Sequence, residues 1–191
     1  MKRRTAIGRI LMIGGGTAAA YSGYRWYDLK KTPDLLYIDQ RKNLIASLAE
    51  AIIPATDTPG AKEARVQDFI VMMIKDCTDI KSQNKFINGL HDLEHHCAST
   101  YDKPFEQCSE NEKHETLKFF EEKGRPFRGI VGKAQNRFLG KSFFTTLKEY
   151  TVRGYCTSEI GATRGLWYKP IPGKYLGCIP MEAGQKSWAT K

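Results

Sequence analysis

Three of the four histidines lie in "HDLEHH", residues 91–96. His91-x-x-Glu94-His95 has the H-x-x-E-H spacing of some zinc proteases. On a helix, His91 and His95 stand one turn apart, so both imidazoles could reach one ion. Glu94, Cys97 and His114 add further donor types. The competing reading is a solvated helix face, because His91 and His95 sit beside the apolar row of Leu90 and Leu93 and do not interrupt it. A catalytic zinc also needs a third ligand in a defined place, and no spacing here identifies one. The expectation is no metal, with His91, His95 and His114 as the set that would prove otherwise.

A second stretch could do chemistry of another kind. Gly14-Gly15-Gly16-Thr17-Ala18-Ala19 fits G-x-G-x-x-A behind the apolar Ile10–Ile13, as in a dinucleotide fingerprint. That fingerprint requires a helix opening in the glycines and a second strand soon after. Instead the chain continues through Tyr21-Ser22-Gly23-Tyr24-Arg25-Trp26-Tyr27 without an apolar stripe, then Pro33, then a segment of helical period. An export leader accounts for more. Basic residues come first, a short glycine-rich apolar stretch comes next, and Ala18-Ala19-Ala20 offers a cleavage site. Arg3-Arg4 matches the twin-arginine pattern, a route that carries folded proteins. Residues 1–20 are therefore read as a leader, either cleaved after Ala20 or kept as an uncleaved anchor, and residues 21–37 as a linker. The expected location is the periplasm.

No C-x-x-C-H, G-x-S-x-G or P-loop is present, and no carboxylates are paired in a way that suggests acid–base work. The 191 residues suffice for one domain with a core. The formal charge of +9 includes four cations from Lys2, Arg3, Arg4 and Arg9. The remaining basic residues are dispersed, which argues against nucleic acid. No apolar run reaches the roughly 18 residues of a spanning helix, so membrane contact is expected only indirectly or through an uncleaved leader.

These residues would be positioned by an all-α fold: a bundle of about five helices within a single domain at 38–191. The first helix is predicted over Ile38–Ile53, with Leu44, Leu48 and Ile52 in one row, Asp39 as N-cap and Pro54 as stop. A turn-rich loop, "PATDTPGA" (54–61), leads to a second helix from about Lys62 to Asp76. Asp57 is read there as a turn or capping hydrogen-bond partner. A third helix spans about Ser82–Ala98. A fourth opens at the capping box Ser109-x-x-Glu112 and stops at Gly124. A fifth spans about Gln135–Val152, with Leu139, Phe143, Leu147 and Tyr150 on one side and Gly154 ending it.

From about residue 157 periodicity disappears. This Gly/Pro/aromatic-rich C-terminal arm is too apolar for a free tail, so it packs on the domain or on a partner. Its candidate partner-binding residues are Trp167, Tyr168, Tyr175 and Cys178. The five cysteines, at 77, 97, 108, 156 and 178, allow two internal pairs with one left over, or five buried thiols. Cys178, on the arm, is the best candidate for a bond to another chain.

Two stretches, "LAEAIIPATDTPGAKEARVQDFI" (48–70) and "GLWYKPIPGKYLGC" (165–178), resemble the small subunit of flavin-dependent gluconate 2-dehydrogenase, known as subunit 3. The resemblance covers nearly the whole chain, leader included. It implies a subunit that does no redox chemistry and holds no cofactor. Its partner would be a large flavoprotein dehydrogenase subunit carrying FAD, with a cytochrome c subunit passing electrons onward. It also implies that the large subunit, lacking an export signal, leaves the cytoplasm with the small one. The histidine cluster and the cysteine number depart from the family pattern. They leave the substrate open, gluconate or another. The alternative function, read from the His91/His95 cluster itself, is a stand-alone periplasmic metal-binding protein or hydrolase.

Overall fold

Asp34, just after Pro33, starts the first helix: its Oδ1 accepts from Tyr37 N at 3.2 Å. In a computed structural model, which describes residues 29–125, 140–171, 173–174, 177–178, 180–181 and 183–189, this helix, α1, spans Leu35–Gln40. Arg41 interrupts it with φ −96° and ψ 16°, and α2 continues over Lys42–Ile52. The sequence joins these two helices into one and misplaces the cap. Asp39 instead pairs with Lys75, at 2.9 Å. Leu29, inside the stretch read as linker, is buried. The buried Asn84 amide holds the carbonyls of Leu29 and Lys31, at 3.2 and 2.6 Å.

Helix α3 spans Val66–Asp76 and starts four residues later than the periodicity suggests. Residues 60–65 form a separate turn. Val66 N reaches back to Ala61 O and Arg65 N to Lys62 O, at 3.0 and 3.1 Å, with Arg65 left-handed at φ 53°. These paired bonds close a helical turn, so α3 must begin afresh.

Helix α4, Ile80–Tyr101, is the longest of the described helices, capped by Asp79 through Ser82 N at 3.3 Å. A 3₁₀ turn, Phe105–Gln107, leads to α5 at Glu110–Gly124. The capping box forms as expected: Ser109 N donates to Glu112 Oε2 at 2.7 Å, and Glu112 N donates to Ser109 Oγ at 3.4 Å. Lys103 joins Glu112 at 2.8 Å. Hydrogen bonds from Lys103 and then from Ser109 pull the Glu112 carboxyl down to about 2. Because the folded-state value is depressed, this contribution to stability is complete above the ordinary carboxyl range and is lost as pH falls towards about 2. Glu112→Gln is expected to flatten that part of the acid profile, as read by thermal melts between about pH 2 and pH 6. An unchanged profile would contradict it.

Helix α6 spans Phe143–Thr157, capped by Ser142 through Thr145 N at 3.3 Å. The expected start at Gln135, and Leu139 with it, lie outside the described residues. The expected stop at Gly154 is incorrect, since the helix runs past it. A Cβ there would lie 2.8 Å from Phe69 Cδ1 and 3.1 Å from Val66 Cγ1, so this glycine serves the close packing of α6 on α3. Helix α6 is central, touching α2, α3, α4 and α5. Ile38, Leu44, Ile45, Leu48, Ile70, Ile74, Phe86, Leu90, Leu93 and Leu147 form one buried core. Among the described residues there is no strand, only an isolated bridge between Trp167 and Trp188. The fold is all-α. No helix of the described residues is long and apolar enough to cross a membrane.

Candidate partner-binding face

Two of the four histidines make separate ring contacts. His91 stacks on Tyr37, with ring centroids 4.1 Å apart, and His96 stacks on Phe119 at 4.5 Å. Glu94 accepts from Tyr37 Oη at 2.5 Å and pairs with Arg41 Nε at 2.7 Å. Burial and this carboxylate push the Tyr37 hydroxyl up to about 12. Tyr37, Arg41 and Glu94 therefore tie the start of the domain to α4. His95 and His114 are exposed, on α4 and α5. Among the described residues no group of three or more His, Cys, Asp or Glu side chains is placed to hold a metal ion. The structure does not gather His91, His95 and His114 into the third-ligand arrangement that the alternative reading requires.

The loop at 54–61 is organised by Glu50, the last charged residue of α2. Its carboxylate accepts from Ala55 N at 3.0 Å and Lys62 N at 2.7 Å, bracketing the loop at both ends. Gly60 makes room for it: a Cβ there would lie 2.6 Å from Glu50 Oε2 and 2.7 Å from Ala55 N. Pro54 follows the helix end, and Ala61 N returns to Ile53 O at 2.9 Å. Asp57 is exposed and accepts from Thr56 Oγ1 at 3.0 Å. Glu50→Ala leaves two backbone donors without their charged acceptor. Because the site is open to water, the expected cost is about 1 kcal/mol. Urea denaturation measures it, and an unchanged midpoint would refute this account of the loop.

Tyr155, near the end of α6, joins this loop to the root of the arm. Its hydroxyl donates to Pro59 O at 2.7 Å. Its ring occupies the space over Gly165, where a Cβ would come 2.8 Å from Cε1. One π-helical turn, Gly161–Gly165, carries the chain out of α6. Arg164 Nη1 then meets Glu63 Oε1 at 3.5 Å. Tyr155 and the Arg164–Glu63 pair thus link the two stretches that resemble the family, about a hundred residues apart.

Beyond Gly165 the arm folds back on itself. Trp167 stacks on Trp188 at 4.5 Å with ring planes 9° apart. Their backbones are linked through Trp167 N to Ser187 O and Ala189 N to Trp167 O, at 2.8 and 3.1 Å. Lys186 Nζ donates to Arg164 O at 2.8 Å. Even so, Trp167 and Trp188 remain 44% and 42% exposed, Tyr168 47% and Ile171 80%. Tyr175, together with Arg3 and Arg4 of the leader, lies outside the described residues. Cys178 is an exposed free thiol.

The sequence singles out Trp167, Tyr168 and Cys178 but gives no role to Glu50, Tyr155, Arg164 or Trp188. Gly60 and Gly165, each beside a named motif residue, were the available signals for Glu50 and Tyr155. Nothing in spacing pairs Trp167 with Trp188.

Neither the curated proteins nor the solved structures yield a match to this chain. A family model described as gluconate 2-dehydrogenase subunit 3 matches residues 39–173, which contain the Glu50 loop, Tyr155 and the root of the arm. That span exceeds half of the chain, and the chain belongs to the gluconate 2-dehydrogenase subunit 3 family.

Proposed function

We propose that this chain is the non-catalytic small subunit and export escort of a periplasmic, flavin-dependent dehydrogenase that oxidises a sugar or sugar acid of the gluconate type. FAD belongs to the large partner subunit, and a cytochrome c subunit takes the electrons onward. The family membership makes this chain one subunit of a gluconate 2-dehydrogenase complex. The observation that carries the reading further is the face built by the Glu50 loop, Tyr155 and the arm, which ends in Trp167, Tyr168, Ile171 and Trp188. Large, partly exposed aromatic side chains on an ordered support are the usual anchors of a protein interface. Cys178 lies on the same arm, where an interchain disulfide with the flavoprotein would add a covalent link.

The leader supplies the escort half of the proposal through Arg3 and Arg4. Co-expression with its flavoprotein, followed by cell fractionation, tests both halves. The two chains are expected to co-purify from the periplasm, yellow and active. Changing Arg3 and Arg4 to lysine is expected to leave both in the cytoplasm. Normal periplasmic accumulation of that variant would end the twin-arginine assignment. A chain that purifies alone with bound flavin and oxidises a sugar acid would overturn the whole proposal.

A further inference from the structure

The Trp167–Trp188 stack and its two backbone hydrogen bonds close the neck of a loop, residues 168–187. Beyond the neck no described residue of the loop is buried. Gln185 is half-buried and the others are exposed. Ile171 and Met181, at 80% and 86%, are the most exposed large hydrophobic residues among those described. Gly173 and Gly184 are left-handed, at φ 73° and 76°, and turn the chain within the loop. Pro170, Pro172 and Pro180 restrict it further. A loop closed at its neck and stiffened along its length loses little freedom on binding.

The charge of the loop is one-sided. Its sequence carries Lys169, Lys174 and Lys186 against one carboxylate, Glu182. Lys169 and Lys174 are exposed. Lys186 Nζ donates to a neutral acceptor, Arg164 O, so that contact leaves its charge uncompensated. Exposed aliphatic side chains flanked by cations fit a surface that is apolar at its centre and acidic at its edge.

We propose that the loop at 168–187 is the inserting element of the arm. Ile171 and Met181 enter an apolar recess on the flavoprotein, and carboxylates around that recess receive Lys169 and Lys174. The stacked tryptophans hold the neck and set the angle of entry. The inference rests on the reading that the arm binds a flavoprotein, and it adds the chemistry of the surface that receives it. An anionic membrane surface also attracts lysine and aromatic side chains. Membership of a subunit family favours a protein.

The test uses the full-length chain co-expressed with its flavoprotein, with capture and association rate as readouts. Ile171→Asp/Met181→Asp is expected to weaken capture by about a hundredfold or more. Leu36→Asp, at a residue 73% exposed on α1, is the control and should capture as the parent does. Association of the parent should slow about tenfold as salt rises from about 50 to 500 mM. Lys169→Glu/Lys174→Glu should associate slowly at low salt and lose that dependence. Undiminished capture by the Ile171/Met181 variant would overturn the inference, as would salt-independent association of the parent. Vesicles of phosphatidylglycerol and phosphatidylcholine in equal parts supply the other arm. If the parent floats with them and the Ile171/Met181 variant does not, while both capture flavoprotein equally, the loop is a membrane contact and the inference fails. A parent chain that captures no flavoprotein defeats the underlying reading itself, a result distinct from those.

Discussion

Removal of residues 165–191 is expected to leave a folded helical domain that no longer captures its flavoprotein, which then stays in the cytoplasm. Among the described residues every buried member of the main core lies at or before Tyr155, so the truncation leaves that core whole. It removes Trp167, Tyr168, Ile171 and Trp188 together, and with them the stack and backbone links that order the arm. A centrally buried aromatic anchor contributes about 2 kcal/mol or more, so losing even two of them weakens binding by about a thousandfold. Trp188→Ala is the finer probe: it leaves Trp167 in place but unstacked, and should weaken capture less than the truncation does. Pull-down with fractionation reads both. If the truncated chain still co-purifies with the flavoprotein and exports it, the helical bundle is the binding surface and the arm is not.

Gly89→Ala is expected to destabilise the domain by about 2 kcal/mol, against the direction that helix propensity predicts. In a solvated helix interior, replacing glycine by alanine stabilises by about 1 kcal/mol. Gly89 is a buried position in α4, and Phe143, the first residue of α6, lies directly over it. A Cβ there would overlap Phe143 Cβ and Cγ, with Cδ2 at 2.5 Å. Phe143 cannot withdraw freely, because its ring also packs against Phe86 at 5.2 Å and Phe120 at 6.1 Å. The added methyl must therefore push α4 and α6 apart at the centre of the bundle. Urea denaturation of the variant measures the sign directly. A variant as stable as the parent, or more so, would show that the α4–α6 crossing has slack.

The helices were legible because their signals are local. Apolar rows such as Leu44, Leu48 and Ile52, and a capping box at Ser109 and Glu112, depend on residues within a turn or two of one another. The boundaries at Arg41, Arg65 and Gly154 were not. The break at Arg41 carries no glycine or proline to announce it. Arg65 occupies a left-handed position that sequence statistics assign to glycine. Gly154 looked like a stop because the side chains that need its missing Cβ, Val66 and Phe69, belong to another helix. The candidate face divides in the same way. The aromatic residues of the arm stood out by composition. The bonds that join the arm to the Glu50 loop span about a hundred residues, and no periodicity connects Tyr155 with Pro59 or Arg164 with Glu63.

Tyr155 holds the carbonyl of Pro59 through its hydroxyl and fills the space over Gly165 with its ring. Loosening the arm at its root therefore also frees one side of the 54–61 loop, so the two share a single local opening equilibrium. Whatever occupies the arm draws that equilibrium towards the closed form by mass action. Amide protons at Ala61 and Lys62, neither of which lies on the arm, would then exchange more slowly whenever a partner is in place. The loop acts as a gauge of occupancy.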